Sequence, residues 1–356
     1  MLTQHADVAS RSRLMQLANH RESDLTEQDL AFLQAAATHA RGILEQAPIK
    51  NLHPVCAELN ALSAWYKGSP PTRCSDHHLL VHSDTWQAHE AARILEEFLQ
   101  SRSISVEVFA VPGMRTSDPA AFGLSLAHLA KFLFERVPGY RDKGWKVVFQ
   151  LNGGFKPAQG FMQTVGMFLA DEIIYVFEGS HQLLRIPRIP VDLEQSMLHE
   201  MKLHQQFYRL LARMDVVPSS QTAGLPGIFV EINGSEAAFS PWGVICWERA
   251  KCSIYAECLL PPPHPNIAFS DRFEQEARHH GRAELRWLNE RLDDFSMFLD
   301  EGKNLRRLDF KALKANPMPP STHEFDAWAQ SPGFRVFCHR ERDRWILDRL
   351  TPGLNH

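Results

Sequence analysis

A five-residue loop, "NGGFK" at residues 152–156, has the composition of an anion-binding loop. An apolar, strand-like run ends just before it, and Pro157 begins the helical pattern that follows. Gly153 and Gly154 allow a ligand to approach the backbone closely, and Lys156 and the free N–H groups of the next helix would stabilise a phosphate. Because the loop matches neither common glycine-rich phosphate motif, a plain turn with an exposed lysine stays open as an alternative.

A second polar segment follows the strand-like run "HHLLVH" and contains Ser83, Asp84 and Thr85. The carboxyl ends of parallel strands meet at one edge of a sheet, so we expect this segment to lie near the "NGGFK" loop. The hydroxyls of Ser83 and Thr85 would then donate to the same anion, or else cap the helix that follows.

The elements that carry these segments alternate between strands and helices. Four strand-like runs, "HHLLVHSDT", "SISVEVFAVPGM", "KVVFQL" and "DEIIYVFEG", are separated by helical patterns. This order predicts an α/β domain over residues 1–192 with a mostly parallel sheet. Residues 25–45 and 53–66 predict two amphipathic helices ahead of the first strand.

The rest of the chain predicts two smaller modules. Residues 193–263 combine a helical stretch with a short strand-like run, which is typical of a small winged-helix module. The proline cluster "LLPPPHPN" marks its end. Residues 264–356 predict a short strand, one or two helices and three final strands in an antiparallel meander, which together make an α+β domain.

The composition excludes several classes of protein. The chain has 356 residues, of which 44% are hydrophobic and 22% charged, as in soluble globular proteins. No apolar run approaches the ~18 residues that a membrane span needs, and the N-terminus lacks the apolar core of a signal peptide, so we expect a cytoplasmic protein without a membrane partner. The cysteines and histidines show no metal-ligand spacing, which predicts no metal site. A net charge of -4 argues against nonspecific coating of nucleic acid.

Three runs of the first domain together resemble the CRISPR-associated Rossmann-fold (CARF) sensor domains: "LLVHSDTWQAHEAARILEEFL", "VFQLNGGFKPAQGFMQTVGMFLADEIIYVFEGS" and "LLRIPRIPV". The resemblance covers roughly residues 1–192 and implies a Rossmann-like fold. It implies a homodimer that binds a cyclic oligoadenylate from a type III CRISPR complex, with cyclic tetra-adenylate as the expected ring and no other cofactor. The contacts that it implies come from Thr3, Gln4, Ser83, Asp84, Asn152, Gly153, Gly154, Phe155 and Lys156.

The N-terminus departs from the CARF pattern. The family begins with a strand that leads into a loop, and "MLTQ" resembles the second half of that loop. The opening strand is therefore expected to be missing from this sheet. If that strand is needed, the messenger should bind weakly.

The C-terminal residues resemble the RelE superfamily of messenger-RNA interferases. The family shows a basic "DFKxLK" stretch and a glycine-aromatic-Arg-Val turn, which correspond here to residues 309–314 and 333–336. "DFKALK" alone would also suit a solvated helix face. The resemblance implies cleavage of messenger RNA in the ribosomal A site, and thus ribosome and messenger RNA as partners.

Cleavage of RNA without a metal requires a 2′-hydroxyl attack in line, neutralisation of the phosphate and proton transfer. From Lys303 onward the chain has ten Lys and Arg against six Asp and Glu. Strand alternation puts Arg335, Phe337 and His339 on one face. The expected roles are transition-state stabilisation by Arg335, backbone binding by Lys311 and Lys314, and proton transfer by one of His323, His339 and His356.

These features together predict a cyclic-oligoadenylate-activated, ribosome-dependent messenger-RNA endoribonuclease of type III CRISPR defence. Two alternatives stay open. The first pocket could destroy its own messenger as a ring nuclease, using Ser83 and Lys156. The protein could instead be a ligand-responsive regulator that binds DNA through residues 193–263.

Overall fold

The structure is a computed structural model that describes residues 2–3, 6–47, 52, 55–68, 75–153, 156–177, 182–189, 191–314 and 317–353. The chain forms two compact units, Met1–Asp192 and Leu193–His356. Both units contain helices and strands, which confirms the predicted α/β class.

The first unit contains six helices and five strands within its described residues. In chain order they are α1 (Val8–Gln16), α2 (Glu27–Gln46), α3 (Ala57–Trp65), β1 (His77–Ser83), α4 (Trp86–Gln100), β2 (Ser105–Val111), α5 (Pro119–Asp142), β3 (Val148–Gln150), α6 (Lys156–Leu169), β4 (Glu172–Val176) and β5 (Leu183–Pro187).

Local sequence explains where two of these helices begin. The Thr26 side chain accepts a hydrogen bond from the Asp29 N–H and starts α2. Asp118 accepts from the second and third residues of α5, and proline occupies the first helical position. Both arrangements satisfy N–H groups that a helix leaves without an internal partner.

The strands of the first unit lie in two sheets, whereas the sequence predicts one. β1 pairs in parallel with β2, β3 pairs in parallel with β4, and β5 joins β4 antiparallel. No strand among the described residues joins β1 to β3. The Ser83 and Asn152 loops therefore follow strands of two separate sheets, and their proximity stays a prediction.

Helix α3 connects these two sheets by side-chain contacts. Near its start, the Glu58 carbonyl accepts from Gln150 Nε2 of β3 at 2.8 Å. Just past its end, the Tyr66 hydroxyl lies 3.0 Å from His78 Nε2 of β1. Buried Leu59 of the same helix packs in the core shared with α2 and α4. The helix thus positions the carboxyl end of β3, where the glycine loop begins.

The second unit follows a different order, helices first and a large sheet last. Its elements are α7 (Gln195–Leu203), α8 (Gln205–Arg213), β6 (Val217–Pro218), β7 (Val230–Asn233), β8 (Glu236–Phe239), α9 (Pro241–Tyr255), β9 (Ile267–Phe269), α10 (Asp271–Ala277), α11 (Arg282–Glu301), β10 (Lys311–Ala312), β11 (His323–Trp328), β12 (Phe334–Glu341) and β13 (Arg344–Pro352). The helical stretch predicted over residues 194–214 is two helices that meet at His204.

Residues 193–263 form three helices and a small sheet with the strand order β6-β8-β7. Ion pairs join α8 to α11. Arg209 Nε donates to Asp293 Oδ1 at 2.8 Å, and Arg213 Nε lies 2.5 Å from Asp300 Oδ2. The same two arginines donate to the carbonyls of Pro261 and Pro263. The proline cluster therefore lies inside the second unit.

The large sheet has the strand order β10-β11-β12-β13-β9. β11, β12 and β13 form the antiparallel meander that the sequence predicts, and β9 pairs in parallel with β13. The "DFKALK" stretch contributes the edge strand β10, which pairs with β11. Phe295 of α11 packs with Phe325, Val336 and Cys338 in the core on one side of this sheet.

Candidate functional site

The second residue of the glycine loop, Gly153, has a backbone conformation that favours glycine. Gly153 has a φ of +85°, in the left-handed region, and a Cβ there would lie 2.3 Å from Glu58 Oε1. Lys156 is the first residue of α6 and is exposed. Gly154 and Phe155 lie outside the described residues.

Asn152 connects the ends of two neighbouring strands. Its Nδ2 donates to the Val176 carbonyl at 2.9 Å, and its Oδ1 accepts from the Val176 N–H at 3.3 Å. Both ends of the side-chain amide are therefore bonded to the backbone at the end of β4. These two bonds fix the start of the loop and use one of the two Nδ2 hydrogens and one Oδ1 lone pair of Asn152.

The segment after β1 is also tied internally. The Ser83 and Thr85 hydroxyls are buried and lie 3.1 Å apart. Asp84 Oδ2 accepts from the Gly113 N–H at 2.9 Å and from Arg21 Nη2. These contacts hold the carboxyl ends of β1 and β2 together.

Two arginines near Asp84 were not predicted from the sequence. Arg21 is bonded to Asp84, and Arg115 Nε lies 4.0 Å from Asp84 Oδ1. They are separated from Asp84 by long stretches of chain, so no local motif could have indicated them. Of the N-terminal candidates, the Thr3 carbonyl accepts from Arg11 Nε at 3.1 Å, while Gln4 lies outside the described residues.

In the second unit, Arg335 lies among three carboxylates. It donates to Glu324 Oε1, and its Nη2 lies 3.1 Å from Asp326 Oδ1 and 3.5 Å from Asp309 Oδ2. Lys311 Nζ lies 2.5 Å from Asp309 Oδ2 and 3.9 Å from Glu324 Oε1. This charge cluster of Asp309, Lys311, Glu324, Asp326 and Arg335 has two cations and three anions.

The carboxylates of the charge cluster are buried to different extents, which affects their protonation. The Glu324 side chain is 5% exposed, and the Asp309 side chain is 43% exposed. Burial raises the pKa of Asp326, and the nearby Asp309 raises it further, against the opposing effect of Arg335. The Arg335 guanidinium is thus paired with carboxylates that differ in exposure. Lys314, beyond the end of β10, is exposed.

The structure puts Arg335 and His339 on the same face of the sheet. Arg335 lies opposite Asp326 and Thr351 in the strand register, and His339 lies opposite Ile346. His339 Nδ1 is 2.9 Å from Asp348 Oδ2, and the Ser321 hydroxyl donates to the same oxygen at 2.7 Å. Neither Asp348, which contacts the histidine, nor Ser321, which contacts Asp348, was predicted from the sequence.

His323 occupies the opposite face. It lies opposite Cys338 in the register, and its ring stacks on Phe310 with centroids 5.2 Å apart. Trp345 meets the same ring edge-on at 5.0 Å, and burial lowers the His323 pKa. The structure therefore separates His323 from Arg335. His356 lies outside the described residues.

Aromatic rings beside His323 line a shallow cavity of about 360 Å³. Its lining residues are Asn266, Phe298, Leu299, Phe310, Arg340, Asp343 and Trp345. Among the described residues, no group of three or more His, Cys, Asp or Glu is arranged to hold a metal ion. No helix in the described part of the chain is long and apolar enough to cross a membrane.

Part of the first unit matches the model of a known protein family. Residues 53–189 match the family described as CRISPR-associated protein (Cas_APE2256). The match includes β1 to β5 and the glycine loop, and it supports a CRISPR-associated protein. No curated protein matches the chain.

Proposed function

We propose that the protein is a cyclic-oligoadenylate-activated, ribosome-dependent messenger-RNA endoribonuclease of type III CRISPR defence. The first unit would bind the activator as a homodimer, with cyclic tetra-adenylate as the expected ring. The second unit would cut the RNA. The observation that carries the proposal is the presence, in one chain, of a CRISPR-associated segment and a sheet face that holds Arg335 and His339.

The glycine loop supports the binding half of the proposal. The backbone at Gly153 is in a conformation that favours glycine, and exposed Lys156 opens the helix that follows. A lysine and the N–H groups of a helix start both favour an anionic ligand. A cyclic oligoadenylate supplies such an anion at each of its phosphates.

The sheet face supports the catalytic half. In the proposed reaction the ribose 2′-oxygen attacks the adjacent phosphorus and loses its proton, and the bond to the 5′-oxygen breaks. The products are a 2′,3′-cyclic phosphate and a 5′-hydroxyl that has gained a proton. Arg335 would stabilise the charged phosphate, and His339 would carry a proton. Lys311 and Lys314 would bind the RNA backbone.

The ion pairs of Arg335 are compatible with a resting state. Glu324, Asp326 and Asp309 hold the guanidinium that the reaction would need. We propose that activator binding, together with the ribosome-bound RNA, favours a state in which a phosphate replaces these carboxylates. This coupling between two sites would make the nuclease conditional on the messenger.

Mapping RNA ends tests the proposal directly. The protein is incubated with translating ribosomes, with and without each cyclic oligoadenylate, and the RNA ends are sequenced. We expect cuts within ribosome-bound messenger RNA only when one ring size is present. Loss of the cyclic oligoadenylate without any RNA cuts would favour a ring nuclease instead, and specific duplex binding without cleavage would favour a DNA-binding regulator.

The DNA-binding alternative draws no support from α8. Arg209 and Arg213, the two arginines of that helix, are buried and bonded to Asp293 and Asp300 of α11. Side chains that are used inside the unit are not available to a DNA backbone.

A further inference from the structure

We propose that Asp348 is a positioning residue that fixes the His339 ring with Nδ1 protonated, so that Nε2 can accept the substrate proton in RNA cleavage. The inference rests on the proposed function and adds to it, because it selects one histidine among three candidates and names the group that orients it. The contacts lie within β12, β13 and the loop before β11.

The contact between the two side chains determines which ring nitrogen carries hydrogen. His339 Nδ1 lies 3.0 Å from Asp348 Oδ1 and 2.9 Å from Asp348 Oδ2. An ionised carboxylate only accepts hydrogen bonds, so Nδ1 must be the donor. In the neutral ring, Nε2 is then the unprotonated nitrogen, which can take a proton from a substrate hydroxyl.

Ser321 holds the carboxylate from the other side. Its hydroxyl donates to Asp348 Oδ2 at 2.7 Å, and the Ser321 side chain is fully buried. The Asp348 backbone is fixed as well, since its carbonyl accepts from Ser270 Oγ at 2.9 Å. Asp348 is thus held through both its side chain and its main chain, as an orienting group for a catalytic base should be.

A β-bulge gives Asp348 its position. Phe337 lies opposite Arg349 in the register and the next residue, Cys338, lies opposite Leu347, so Asp348 has no partner across the strand pair. Such an extra residue changes the direction of side chains locally. Here the bulge leaves the Asp348 carboxylate next to His339, and Arg349 pairs with Glu276 of α10.

His339 is partly exposed on the sheet face that carries Arg335. Its side chain is 22% exposed, and it shares the sheet face of Arg335, four residues earlier on β12. The strand rise separates the two backbones by roughly 13 Å, which two long side chains and one phosphodiester can span. His323 lies on the other face against Phe310.

The test compares Asp348→Asn with the wild-type protein in full-length form. We expect a fall in kcat of roughly tenfold to a hundredfold with little change in KM for ribosome-bound RNA, because an amide no longer orients the base. In the long-range proton–nitrogen NMR spectrum, His339 should be protonated at Nδ1 in the wild-type protein and should lose that preference in the variant. Ser321→Ala should give a smaller change in the same direction.

Asp343→Asn is the matched control, since Asp343 lies in the turn of the same hairpin and its side chain is 96% exposed. It should leave both kcat and the His339 spectrum unchanged. Full activity of Asp348→Asn, or wild-type His339 protonated at Nε2, would overturn the positioning role alone. A wild-type protein that never cuts RNA with any cyclic oligoadenylate would overturn the proposed function itself, and the positioning role with it.

Discussion

At the residue scale, Arg335 depends on what surrounds it. Its guanidinium is shared among Glu324, Asp326 and Asp309, so the residue is held in place but its charge is already compensated. A guanidinium that must stabilise a transition state needs donors aimed at the phosphate. The three carboxylates therefore set both the position of Arg335 and the cost of freeing it.

Replacement of Arg335 by alanine should reduce RNA cleavage by about a hundredfold or more, since one preorganised donor to the reacting phosphate would be lost. Cleavage is measured with activator and translating ribosomes. Arg344→Ala is the control, because Arg344 is exposed at the start of β13. Wild-type cleavage by Arg335→Ala would exclude the residue from catalysis.

A second prediction at the residue scale concerns the stability effect of replacing Gly153. Gly153→Ala should destabilise the protein by about 1 kcal/mol, because of the positive φ and because its Cβ would displace Glu58. Gly160→Ala, within α6 and with no atom within 4 Å of its Cβ, should instead stabilise by about 0.5–1 kcal/mol. Thermal unfolding of both variants measures the contrast, and equal shifts would contradict it.

At the scale of elements, buried ion pairs hold α8 against α11. The Arg209 side chain is fully buried and bonded to Asp293, which also accepts from the Tyr255 hydroxyl. Removal of one partner leaves a poorly compensated charge, so Arg209→Met should destabilise the second unit by about 3 kcal/mol. Denaturant unfolding measures this loss.

Arg278→Met is the matched control for α8. Arg278 pairs with Glu274 along α10 with its side chain 71% exposed. Exposed pairs of this kind contribute about 0–1 kcal/mol, so this variant should unfold almost like the wild type. A similar loss in both variants would show that burial of Arg209 is not the cause.

We expect two histidines of strand β1 to make the first unit sensitive to acid. Burial lowers the pKa of His78 and of His82 below the usual value of 6.5. Below about pH 6.5 the unfolded chain therefore binds protons that the folded chain does not, and stability falls as pH falls. The melting temperature should drop between about pH 7.5 and 5.5, and His78→Gln should reduce this slope. His39→Gln, at an exposed position of α2, is the control.

At the scale of the whole molecule, binding and cleavage are expected to separate between the two units. Lys156→Ala should weaken binding of cyclic tetra-adenylate about tenfold or more, because a charge-assisted contact to phosphate is lost. Arg335→Ala should leave that affinity unchanged while it removes cleavage. Calorimetric titration and RNA-end mapping on both variants give the comparison, with Lys143→Ala as an exposed control on the first unit. Loss of affinity in Arg335→Ala would contradict the division.

The sequence by itself determined the features that repeat along the chain. The order of strands and helices, the meander of β11 to β13, and the common face of Arg335 and His339 could be predicted, because backbone geometry imposes a period of two on a strand. The glycine pair in "NGGFK" also indicated a turn, and Gly153 has the positive φ that glycine favours.

Only the tertiary structure decided the partners of these residues. The division of the first unit into two sheets, the carboxylates around Arg335, and the contact of His339 with Asp348 join residues that are distant in sequence or displaced by a bulge. Such contacts depend on strand register and helix packing, and these follow from the whole core instead of any local pattern. The chemistry expected of a residue can be predicted from its type, but its protonation and availability depend on the neighbours that folding supplies.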